Sequence, residues 1–83
     1  PFDSVLELER KTGAAFGALF DRVRRMHFAM SDLTETVRLA LIGGGMSPKD
    51  AFELTRTYVA ARPIAETYPL VLEILSVVYF GDA

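Results

Sequence analysis

The stretch Leu39-Ala40-Leu41-Ile42-Gly43-Gly44-Gly45-Met46-Ser47-Pro48-Lys49-Asp50-Ala51 decides the fold. Three consecutive glycines remove the entropic case for continuing a helix. Just beyond them Ser47 offers an N-cap hydroxyl, Pro48 a preset φ for the first helical position, and Asp50 an acid in the first turn. One helix therefore stops at the glycines and another starts at Pro48. The upstream helix is predicted over 32–42, with Leu33, Val37, Ala40 and Leu41 as its inward face. Ser31 or Asp32 caps it, and Glu35 follows Asp32 at capping-box spacing. The downstream helix is predicted over 48–60. Ala51, Leu54, Thr55 and Tyr58 form its face, Phe52 and Val59 widen it, and Arg62-Pro63 ends it.

The same logic extends to both ends of the chain. Phe16, Leu19, Phe20, Val23 and Met26 follow the i, i+3, i+4, i+7 spacing of one helical face, which predicts a helix over 14–27. Gly17 inside it is tolerable where a neighbouring helix packs closely. Before it, Asp3 or Ser4 caps a helix over 3–11 with Phe2, Val5 and Leu6 apolar, closed by Gly13. The last segment predicts a helix over 64–80 with a bend near Pro69, which removes one helical hydrogen bond. From Leu70 to Phe80 it is apolar nearly all round, a pattern that places a helix at the centre of a bundle or in an interface. No period-2 alternation bounded by hairpin turns occurs. The expectation is an all-α bundle of about five helices in a single domain spanning 1–83.

Composition narrows the function classes. The chain has 83 residues, 51% of them hydrophobic and 24% charged, enough apolar material for one small core. A net charge of −2 gives no global electrostatic case for nucleic acid or an anionic membrane. With no cysteine, disulfides and thiol chemistry fall away together. The longest apolar stretch, Pro69 to Phe80, is shorter than the about 20 residues a bilayer crossing needs. Pro1-Phe2-Asp3 lacks the pattern of a secretory signal. A cytoplasmic protein with no membrane partner is expected.

Few residues offer chemistry. His27, the one histidine, has no nucleophile or carboxylate in a recognised pairing nearby, and a capping or partly buried structural role fits it better. The acids show neither a calcium-loop spacing nor a Glu-x-x-His pair. Gly43, Gly44 and Gly45 match neither a P-loop nor a dinucleotide fingerprint and read, with Ser47 and Pro48, as structural punctuation. No catalytic residue, metal or cofactor is therefore expected, and the chain is not read as an enzyme. Arg22, Arg24 and Arg25 form the one basic cluster. It fits the last turns of a helix, where cations complement exposed carbonyls; the alternative is a small DNA-binding or regulatory protein using that patch. Glu9 falls on the apolar side of the first helix, at i+3 from Leu6 and i+4 from Val5. A buried carboxylate there needs partners, and the free amides opening the next helix or an arginine would serve, making Glu9 a structural bridge.

The order of these signals resembles the phage tail-assembly chaperone family of gene transfer agents. The resemblance rests on Leu6-Glu7-Leu8-Glu9-Arg10-Lys11-Thr12-Gly13, on Leu39 to Ala51 with its glycine break and Ser-Pro start, and on Pro69-Leu70-Val71-Leu72-Glu73-Ile74-Leu75 through Tyr79-Phe80-Gly81. It implies a non-enzymatic protein that holds tape measure or tail tube proteins before a tail is assembled. The family usually opens with a short β-hairpin segment, whereas this sequence starts at its first helix: either an upstream β segment was cut away or this member lacks it. A chaperone of this kind needs an accessible apolar face. Met26, Phe28 and Met30 beside the second turn, with Leu72, Val78, Tyr79 and Phe80 on the last helix, are the candidate partner-binding residues. Self-association into a homo-oligomer is a further outlet for the same surface.

Overall fold

A computed structural model describes residues 2–81. Pro1 and the side chain of Phe2, read above as part of the first apolar face, lie outside what it describes. Five helices follow one another: α1 (Phe2–Thr12), α2 (Phe16–Arg24), α3 (Met30–Gly43), α4 (Pro48–Tyr58) and α5 (Ile64–Phe80). No strand occurs among the described residues, and the fold is an all-α small bundle.

The central helix is α3. It packs against α1, α4 and α5, while α2 bridges α1 and α5. Of the two places expected for the most apolar helix, α5, the centre of the bundle is therefore not the one it occupies. Burial follows position rather than hydrophobicity: α3 buries Asp32, Leu33, Thr36, Val37 and Leu39, more than one face of the helix. By contrast, α5 buries only Thr67, Val71 and Leu75 and leaves Leu70, Val77, Val78, Tyr79 and Phe80 exposed. Leu19, Val23, Leu33, Val71 and Leu75 form the driest part of the core. Truncating Leu19, Leu33 or Leu75 to Ala costs about 2–5 kcal/mol by lost transfer and cavity.

Helix ends explain most boundary differences. α3 starts at Met30 rather than 32 because the Asp32 carboxylate reaches back to accept from the Ala29 amide at 2.8 Å. Asp32 is thus the acid of the cap, three residues into the helix, and Glu35 pairs instead with Arg38. α2 ends at Arg24 rather than 27. Met26 N donates to Val23 O (3.1 Å) and His27 N to Arg22 O (2.8 Å), the paired bonds of a Schellman motif. Met26 occupies its left-handed position with φ 62°, so it leaves the apolar face on which periodicity had placed it. α4 stops at Tyr58, and its buried stripe is Ala51, Thr55 and Val59; Phe52, Leu54 and Tyr58 face solvent. The small stripe lets α4 approach α3 closely. In α1 Leu8 rather than Leu6 is buried, since the inward line runs through Val5, Leu8 and Thr12.

The punctuation residues sit where helices turn. Gly13 has φ +72° and its N–H donates to Glu9 O at 2.9 Å, closing α1. Gly43 is the last residue of α3, Gly44 its C-cap, and Gly45 turns with φ +109°. Ser47 caps α4 by accepting from Asp50 N at 3.2 Å, with Pro48 at the first helical position. Gly17 differs from expectation: a Cβ there would meet nothing within 4 Å, so no close helix packing requires it. Pro69 lies inside a helix that is continuous from Ile64 to Phe80. The orphaned Ala65 carbonyl lies in the first turn, and Ala65 and Pro69 are both exposed, so water can take up that bond.

Candidate functional site

Two adjoining apolar features stand out on the surface. The first is an apolar cleft of about 190 Å³ between α1 and α5. These helices stay apart because α3 lies beneath both; its Thr36, Ala40 and Gly43 form a floor of small residues and leave the space open. Val5 and Leu8 line one wall, Ile74 and Val78 the other, and Phe16 closes one end. No charged side chain lines it. The second feature is the aromatic tip of α5. Phe20, buried on α2, lies 5.4 Å from the Tyr79 ring and 6.4 Å from Phe80, the latter edge-on. Tyr79 and Phe80 themselves remain 61% and 73% exposed. Phe16, which closes the cleft, lies 6.1 Å from Phe20 and makes the two features continuous.

The candidate partner-binding residues divide between two ends of the bundle. Tyr79, Phe80 and Val78 belong to the tip and cleft. At the opposite end Phe28 stacks on Tyr68 at 5.5 Å, and the Tyr68 hydroxyl donates to Val23 O at 2.8 Å, completing the carbonyl end of α2. Leu72 and Phe28 are half-buried and pack against the core. Met26 and Met30 are exposed near that end, Met26 at 65%. Sequence reasoning missed Val5, Phe16 and Ile74 as cleft residues. The readable signal was the small-residue stripe Thr36, Ala40, Gly43, which no bulky partner helix fills.

The polar groups are largely spent on the fold. Arg22 is not free: its Nε donates to Asp32 Oδ2 (2.8 Å), its Nη2 to Asp32 Oδ1 (2.5 Å), and Nη2 also reaches Thr12 O (3.4 Å). Asp32 is fully buried, so one ion pair ties the end of α1 to α2 and the start of α3. Arg24 and Arg25 share Asp21 at 3.6 and 3.0 Å, and Arg24 also lies over the Phe20 ring at 4.8 Å. The hydrogen bond from Arg25 outweighs an opposing desolvation and, with the charges of Arg25 and Arg24, holds the Asp21 carboxyl below the usual carboxylate range. Glu9 accepts from Phe16 N at 2.7 Å, which caps α2 from seven residues upstream. The His27 side chain is exposed; only its backbone takes part in the α2 cap. Among the described residues no three His, Cys, Asp or Glu side chains converge to hold a metal ion, and no helix is long and apolar enough to cross a membrane.

Fold and site together define a small helical bundle with an apolar cleft that runs on into an aromatic tip. The family model described as "Phage tail tube protein, GTA-gp10" matches residues 1–81, and the chain belongs to that family of phage and gene-transfer-agent tail proteins. No curated protein and no solved structure matches the chain.

Proposed function

We propose that this tail-related protein acts in assembly rather than in catalysis: it is a non-enzymatic chaperone or adaptor that binds a tail component through the cleft and aromatic tip. The observation that carries the reading is the pair Tyr79 and Phe80, aromatic side chains left mostly in water beside an uncharged cleft. Aromatic anchors beside a dry pocket are what a partner helix or loop docks on. Family membership supplies the context, and tape measure or tail tube proteins are the partners. The site of action is the cytoplasm of the bacterial host, where tails are built before release. The arginine patch does not compete with this reading, since Arg22 is consumed by Asp32 and the other two arginines share Asp21.

The family description favours a second reading, in which the chain is itself a tube subunit. A subunit is retained in the finished particle and a chaperone is not. Quantitative mass spectrometry of purified particles separates the two: the chaperone reading expects the chain to be absent or far below tube stoichiometry. Co-purification from producing cells tests the partner. Capture of tape measure or tube protein by the wild type, with at least about tenfold less by Phe80→Ser, is the expected result. Capture that is absent, or unaffected by Phe80→Ser and Tyr79→Ser together, overturns it.

A further inference from the structure

The helices are not joined to one another equally. Four of them close a ring, in which α1 packs on α2, α2 on α5, α5 on α3 and α3 on α1. α4 lies outside that ring and packs principally on α3. Polar side chains also pin the ring: Glu9 joins α1 to α2, Arg22 joins α2 to Asp32 of α3, and Tyr68 joins α5 to α2. Among the described residues no side-chain hydrogen bond or ion pair joins α4 to another helix.

What holds α4 is a narrow seam of Ala51 and Thr55, with Val59 at its C-cap. The middle of that seam is unfavourable. Thr12, Thr36 and Thr57 each donate their hydroxyl to the carbonyl four residues back, whereas the buried Thr55 Oγ1 has no partner. A hydroxyl taken out of water without a replacement bond weakens the packing around it. Past the end of α4, Arg62 lies over the Tyr58 ring at 4.1 Å and donates to Glu66 at 3.3 Å. All three side chains are exposed, and solvent weakens such a tie.

We infer that α4 is a strap that opens separately: residues 47–62 come off α3 and unfold as a unit while the ring of four helices stays folded. Local unfolding is drawn from elements with few buried apolar contacts, and α4 has the narrow seam just described. Once off α3 the helix does not persist, because its 11 residues fall below the about 12–15 at which an isolated helix is even marginal in water. Opening uncovers the flank of α3 beneath the seam and releases Phe52, Leu54 and Tyr58 with the strap. The chain thereby holds a second apolar surface that is shut at rest. No residue of α4 lines the α1–α5 cleft, so the strap is independent of the assembly role proposed above.

Amide hydrogen exchange of the full chain, followed by NMR across low urea concentrations, tests the inference. In the wild type the amides of residues 55–59 are expected to share one protection factor, at least about tenfold below that of residues 36–40 in α3. Their urea dependence should be less than about half as steep, because opening α4 exposes only part of the surface that global unfolding exposes. Thr55→Val removes the unpaired hydroxyl and is expected to raise protection in α4 at least about threefold. Ala51→Asp puts a charge at the fully buried end of the seam. It is expected to leave α4 unprotected while residues 36–40 keep their protection and a cooperative thermal melt persists. Equal protection and equal urea slopes in α3 and α4 of the wild type overturn the inference, whatever the variants do. So does an Ala51→Asp chain in which α3 unfolds along with α4, or a Thr55→Val chain whose α4 protection is unchanged or lower. Because no tail protein is present, failure here is distinct from failure of the capture experiment.

Discussion

The start of α3 and the end of α5 both leave helix-terminal groups to be dealt with, and they do so in opposite ways. At the start of α3 the buried charge is met inside the chain. Asp32 is fully buried, accepts from Arg22 twice and from Ala29, and its own backbone carbonyl accepts from Thr36 Oγ1 at 2.6 Å. At the end of α5 the backbone closes simply, Gly81 N donating to Val77 O at 2.8 Å, and the last two aromatic rings stay in water. The difference separates what the fold uses from what it leaves available. Changes at the first region should cost stability; changes at the second should cost contact and spare the fold.

The sharpest way to break the comparison is Asp32→Ala. It leaves Arg22, two-thirds buried, without its carboxylate and strips the amide of Ala29 of its acceptor. A loss of about 3–5 kcal/mol is expected, read by urea or thermal unfolding. Asp32→Asn keeps an acceptor for Ala29 and should lose less. If Asp32→Ala melted like the wild type, the start of α3 would not be the closed region described.

Glu9→Ala comes next. It removes the acceptor for Phe16 N at a helix start whose N-cap, Ala15, offers no side chain of its own. About 1 kcal/mol should be lost, as for removal of an N-cap, with Glu9→Gln recovering part of it. Chemical denaturation of the three proteins distinguishes the hydrogen bond from the charge.

Two substitutions should stabilise by about 0.5–1 kcal/mol each, because they relieve backbone costs that no contact offsets. Met26→Gly releases the left-handed residue of the α2 cap. Gly17→Ala adds a methyl into open space in the first turn of α2. A lower melting temperature for both would mean that these positions carry packing the structure does not contain. At the open end Phe80→Ser should change stability by less than about 1 kcal/mol, the worth of one aromatic edge contact. A larger loss in a thermal melt would move the α5 tip into the closed class.

These contrasts also mark how far the sequence could be read. The glycine break and the Ser47-Pro48 start were legible because each residue has a local conformational reason to be there, and all five helices followed from such signals and from periodicity. Glu9 was legible as an acid out of place on an apolar face. The central position of α3 was not, since hydropathy favours α5 and only the packing of α1, α4 and α5 around α3 decides otherwise. Arg22 read as one of three equivalent cations. Its partner Asp32 lies ten residues away across a turn, and no local rule links them. Of the cleft only the small-residue stripe Thr36, Ala40, Gly43 was readable: Val5, Phe16 and Ile74 come to it from three other helices, and each alone looks like ordinary core.

The smallest effect concerns pH, and it tests whether Asp21 belongs to the closed or the open class. Arg25 and Arg24 favour the charged carboxylate in the folded chain, so its folded pKa is lower than its unfolded one. A depressed carboxylate contributes stability above the unfolded value and loses it as pH falls through the folded one. The contribution is therefore complete at neutral pH and fades below about pH 4, where the unfolded carboxyl begins to take up its proton. The group is exposed and salt screens it, so the slope should be slight and should flatten further in about 1 M salt. Asp21→Asn should remove that part of the acid slope and leave the neutral-pH stability almost unchanged. Melting curves of both proteins between about pH 2 and 7 give the answer, with identical slopes placing Asp21 among the groups that the fold does not use.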